Sequence, residues 1–73
     1  QGKSMTNPWR LSPRECEVLD ALLLHGHNKA ISEQLGIAAS TITLHIRHAS
    51  LKAGVTHRVA MAILWDRFKR EAQ

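Results

Sequence analysis

The chain has 73 residues and a formal net charge of +4, with 10 Lys and Arg against 6 Asp and Glu. That length allows one domain and leaves no room for a large cleft with a core behind it, which argues against catalysis. A single cysteine, Cys16, excludes an internal disulfide and agrees with a reducing compartment. No apolar run has the length of a membrane span or of a signal-peptide core, so the expectation is a soluble, cytoplasmic protein without a membrane partner. The basic balance, with a pI near 10.0, favours an anionic partner. Helix formers dominate, Tyr is absent, Pro is rare, and Thr and Val are too sparse for alternating strands, so an all-α domain is expected.

Residues 1–10 have no periodicity and read as a flexible lead-in, in part an expression remnant, with no function of their own. The domain proper is residues 11–73. Ser12, Pro13 and Glu15 then make a strong helix start: a cap, a proline at the first helical position, and a glutamate three residues beyond the cap that completes a capping box. Leu11 can fold back on Cys16 as a hydrophobic staple. Cys16, Leu19, Leu22 and Leu23 continue as an apolar stripe until Gly26 ends the helix, predicted over Pro13–His25. Asn28 is placed to cap a short second helix ending at Leu35, with Ile31 and Leu35 facing the same way and Gly36 as its stop.

Residues 37–54 organise the rest. On a helical wheel Ile42, Ile46, Ala49 and Ala53 fall on one side and Ser40, Leu44, Arg47 and Leu51 on the other. The helix, predicted over Ala39–Ala53, has one face to bury and one to offer. Between Glu33 and Asp66 the chain has no acidic residue, as a helix held close to phosphates requires. Two helices joined by a short Gly-containing turn have the spacing of a helix-turn-helix. Gly54 closes the third helix, and a fourth is predicted over residues 57–70.

Arg47 is the best single candidate for reading a base, because its fork of donors matches guanine O6 and N7; a solvated arginine is the plain alternative. Leu44 on the same side is unfavourable in solvent unless it meets something like a thymine methyl, and Thr43 can supply either an apolar contact or a hydroxyl bond. Ser40 and Thr41 lie in the first turn, where they suit a phosphate or serve only as caps. Lys29, His45, Lys52 and Arg58 complete a phosphate-contacting rim, with ordinary solvation as the other reading. The histidine pairs His25/His27 and His45/His48 lack a further ligand in either place, so no metal or other cofactor is expected. Cys16 is a packing residue, and no catalytic constellation is supported by spacing. The fourth helix carries more apolar residues than one stripe needs. If Val59, Ala62 or Ile63 close the core, Met61 and Trp65 are left for a dimer contact, with capping of the core by the large ring as the alternative.

Leu11-Ser12-Pro13-Arg14-Glu15, Val18-Leu19, Gly26, Asn28-Lys29, Ile31, Leu35-Gly36-Ile37, Thr41-Ile42, His45, Lys52, Gly54-Val55 and Arg58 match in order and spacing the LuxR/FixJ-type helix-turn-helix domain of bacterial transcription regulators. The chain resembles this family over residues 11–68, most closely the branch typified by the nitrate response regulator NarL. The resemblance implies a four-helix domain that binds double-stranded DNA at an inverted-repeat operator. It implies a homodimer on DNA, paired through the last helix, and a regulatory domain N-terminal to the segment in hand. It also puts the third helix in the major groove with Thr43, Leu44 and Arg47 on the bases. Two positions depart from the pattern. Ala38 stands where a capping Ser is common, and Thr43 where a Lys is common. A non-specific nucleic-acid binder would share the charge but need no defined outer face. A protein-interaction domain on the same fold would need Leu44, Leu51 and Trp65 but not Arg47.

Overall fold

The computed structural model describes residues 8–72, so most of the segment read as a flexible lead-in, residues 1–7, lies outside the described residues. The chain forms four helices: α1 (Pro13–His25), α2 (Asn28–Leu35), α3 (Ala39–Ala53) and α4 (Arg58–Glu71). Among the described residues there is no strand. The bounds of α1 and α3 and the end of α2 are those predicted, α2 starts one residue before a cap at Asn28 would allow, and α4 lies one residue further along at each end. None of these helices is long and apolar enough to cross a membrane.

The start of α1 is fixed by the capping box. The Glu15 N–H donates to Ser12 Oγ at 3.1 Å, and the Ser12 N–H donates to Glu15 Oε1 at 2.9 Å. Two otherwise orphaned N–H groups are satisfied at once. The turn between α2 and α3 depends on Gly36, which adopts φ +70°, a left-handed conformation that costs an L-residue about 1–2 kcal/mol. Its N–H donates to the Ser32 carbonyl at 2.8 Å, and Ser32 Oγ donates to the Ile37 carbonyl, so the turn is tied on both sides.

Two local expectations need correction. The cap of α2 is His27, whose Nδ1 accepts from the Ala30 N–H at 3.5 Å; Asn28 is already helical and sends its side chain elsewhere. Trp9, within the supposed lead-in, packs its ring edge-on against Phe68 at 5.5 Å and tilted against Trp65 at 6.4 Å.

The core lies where α1 meets the other three helices, and α2 and α4 join only through α1 and α3. Val18, Leu19, Ile31, Ile42, Met61 and Trp65 are its fully buried side chains of substantial size. The third helix turns Ile42, Ile46 and Ala49 inward, as its wheel requires. The fourth is rotated away from the expected orientation. Met61 and Trp65, assigned to a dimer contact, have no exposed surface, whereas Val59 and Ile63 are 65% and 60% exposed. The reason is physical. The largest rings on α4, Trp65 and Phe68, stack at 5.2 Å, and together with Met61 they form the stripe that buries most apolar area. Trp65 also finds a partner for its one polar group, because its Nε1–H donates to Asp20 Oδ1 on α1 at 2.8 Å. Lys69 pairs with the same oxygen at 3.2 Å and lies 5.7 Å from the Trp65 ring centre.

Candidate nucleic-acid interface

The outward face of α3 is built by what the inward face must bury. Leu44 is 50% exposed while Ile46, two residues on, is 5% exposed. Ser40, Thr43, Arg47 and Leu51 are exposed with Leu44, and Thr41 and His45 are half-buried at its edge. Arg47 lies between Thr43 and Leu44 in angle and one turn further along the helix. No carboxylate belongs to this face.

Thr43, Arg47 and Arg58 come together on one shallow groove of about 360 Å³ between α3 and the start of α4, with Ile46, Ser50, Leu51, Val55 and Thr56 completing its wall. Within it Arg58 is half-buried, and its Nη2 is enclosed without a hydrogen-bond partner. Sequence reading placed Arg58 only on a rim; its position in the groove wall depends on the turn at Gly54, whose φ is +77°. Thr43 is tied to α2: its Oγ1 accepts from Asn28 Nδ2 at 2.9 Å and donates to the Ala39 carbonyl at 3.2 Å. Asn28, expected only to cap, is thus a strut between the two helices of the motif. Lys29 is exposed in the first turn of α2.

Lys52 stands apart from the other cations of the expected rim. Its Nζ donates to Glu15 Oε1 at 2.7 Å, joining α3 to the capping box of α1. Burial pushes the Glu15 carboxyl up, but the Lys52 ammonium and the Ser12 N–H and hydroxyl together outweigh this and hold it below the usual carboxylate range. The Glu15 side chain is buried and acts as the anchor; Lys52 reaches in from the surface. The lysine expected to be a free phosphate contact therefore has a structural partner.

The chemistry of other residues is quiet. Burial, with Asp20 and Glu15 nearby, pushes the Cys16 thiol up and away from reactivity. Among the described residues no cluster of His, Cys, Asp and Glu is disposed to hold a metal ion. His25 Nε2 shares a hydrogen bond with Gln34 Oε1, linking the ends of α1 and α2.

No curated protein and no solved structure matches the chain. A family model, bacterial regulatory proteins of the luxR family, matches residues 10–65. That span takes in α1, the α2–turn–α3 pair and α4 as far as the tryptophan that locks the core. The chain therefore belongs to the LuxR family and is a helix-turn-helix DNA-binding domain of a bacterial transcription regulator.

Proposed function

We propose that the domain binds double-stranded DNA sequence-specifically, with α3 in the major groove and Arg47, Thr43 and Leu44 against base edges. The observation that carries this reading is the acid-free outward face of α3, on which one guanidinium stands between the exposed side chains of Thr43 and Leu44. Arg47 supplies the bidentate donors for guanine. Ser40, Thr41, Lys29, His45 and Arg58 serve phosphates around it. Arg58 lines the same groove as Thr43 and Arg47 and adds its positive charge there. Lys52 contributes less, because its charge is already balanced by Glu15.

Pairing on DNA uses α4 through Val59 and Ile63, one helical turn apart and both exposed, in place of the buried Met61 and Trp65. A single helix offers less than the roughly 1,000 Å² of a stable interface, so pairing leans on the operator, an inverted repeat, or on an N-terminal regulatory domain of the receiver or autoinducer-binding kind. The site of action is then the cytoplasm, at the nucleoid.

The test is selection of bound duplexes from a random library, followed by competition with Arg47→Ala. The variant should lose roughly 1–3 kcal/mol on the selected duplex and discriminate less at one base pair, with helicity unchanged. Equal losses on selected and random duplex would make Arg47 a phosphate contact and the domain a non-specific binder. Ile63→Ser should reduce binding to a full inverted repeat more than to a half-site; equal reduction would remove α4 as the pairing surface.

A further inference from the structure

Thr43 stands on the outward side of α3 with its hydroxyl already engaged twice. Its single proton goes to the Ala39 carbonyl at 3.2 Å, one turn back, and its oxygen accepts from Asn28 Nδ2 on α2 at 2.9 Å. A hydroxyl has one donor, so Thr43 has none left for a base. Threonine is stiff at χ1, and the two bonds select the rotamer that turns Oγ1 back along the helix and toward α2. An exposed Thr43 is left with its methyl group and one acceptor lone pair on an oxygen already turned toward α2 and its own helix, so it can offer a base no proton.

We propose that Thr43 reads DNA through this methyl, so that the preferred duplex carries a thymine, a pyrimidine with a 5-methyl group, beside the base pair engaged by Arg47. Asn28 is the positioning residue that sets this mode. The inference rests on the functional reading above and sharpens it. Thymine is the natural base that places a methyl in the major groove, and apolar side-chain atoms are its complement. Leu44, half-exposed on the other side of Arg47, supplies a second apolar contact of the same kind. The reading element is thus a guanidinium flanked by two hydrocarbon groups. It differs in kind from a helix that places a second cation at position 43, which would favour guanine or phosphate. Asn28 joins the two helices because its side chain leaves the first turn of α2 and its Nδ2 donates to Thr43 on α3.

The experiment takes the 73-residue chain and the duplex it selects from a random library, and replaces each thymine singly by deoxyuridine, which removes only the methyl. One replacement near the Arg47 base pair should weaken binding about threefold to fourfold, the worth of burying one methyl group. Thr43→Val, which keeps a methyl and loses the hydroxyl, should retain that sensitivity. Thr43→Ser, which keeps the hydroxyl and loses the methyl, should bind the thymine duplex about as weakly as wild type binds the uracil one, and should be indifferent to uracil at that step. Asn28→Ala should blunt uracil discrimination at the Thr43 step while leaving it intact at the step read by Leu44, a pattern that general loosening of the motif would not give. Undiminished uracil discrimination by Thr43→Ser, or a selected duplex indifferent to uracil at every step, would overturn the inference and leave the functional reading standing. A chain that selects no preferred duplex overturns both.

Discussion

The seam between α1 and α4 and the outward face of α3 follow opposite rules. Along the seam, large side chains are enclosed and their polar atoms are matched: Trp65 donates to Asp20, Lys69 pairs with the same carboxylate, and Trp9 and Phe68 complete an aromatic cluster. On the outward face Leu44 and Leu51 stand in the open and α3 starts at Ala38 without a side-chain cap, while at the groove beside it one nitrogen of Arg58 has no partner. Local chemistry is satisfied where the domain must stay folded and left incomplete where it must meet something. Side chains on the open face can change with little effect on folding, because almost none of them holds the core.

The contrast would break first at Trp65. Trp65→Ala should cost about 3–5 kcal/mol and melt the domain in circular dichroism, since it empties the centre of the seam and strands Asp20 and Lys69. A variant that folded normally and lost only paired binding would show that the seam is not the stabilising region.

The next test concerns the tie between the two regions, Glu15 with Lys52. Glu15→Gln should lose about 1–2 kcal/mol at neutral pH, less than a fully enclosed pair would, because the Lys52 side chain is 40% exposed. The sign of the pH dependence follows from the direction of the shift. A carboxyl held low in the folded state stabilises fully above its ordinary value near 4.5, and that contribution disappears as pH falls through the folded value. Wild type should therefore lose stability on acidification below about pH 4.5 through this group, and Glu15→Gln should show a flatter acid limb in chemical denaturation. Equal slopes would remove Glu15 as a source of acid sensitivity.

The smallest effect should have the opposite sign. Ala38→Ser supplies the missing cap of α3 and should add about 0.5–1 kcal/mol without altering which duplex is preferred. A change in sequence preference would mean that the start of α3 is set by the loose cap and that the open face is coupled to it.

Much of this architecture is legible in the sequence. The capping box at Ser12, the stops at Gly26, Gly36 and Gly54, and the inward row of Ile42, Ile46 and Ala49 are local signals, set by backbone chemistry within a few residues. The exposure of Ser40, Leu44, Arg47 and Leu51 follows from the same wheel. What escaped was long-range. The rotation of α4 could not be read from its composition, because apolar residues lie on more than one side; Asp20, the partner of the Trp65 N–H, is 45 residues away. The best available signal was size, since Met61, Trp65 and Phe68 at spacings of four and three give the heaviest stripe. The Lys52–Glu15 and Asn28–Thr43 ties also join residues far apart in sequence, 37 and 15 positions respectively, and each redirected a residue from the role its local pattern suggested.

The aromatic cluster has one more consequence. Trp9 and Trp65 are the chain's 2 tryptophans, there is no tyrosine, and both indoles belong to the same seam. The intrinsic fluorescence of this domain is therefore a report from one side of the molecule. Unfolding exposes the Trp65 indole to water and should shift its emission to the red, whereas a duplex docked on α3 meets neither ring. Emission recorded during a DNA titration should stay nearly constant while anisotropy of a labelled duplex rises, so the two optical signals separate occupancy from integrity in a single cuvette.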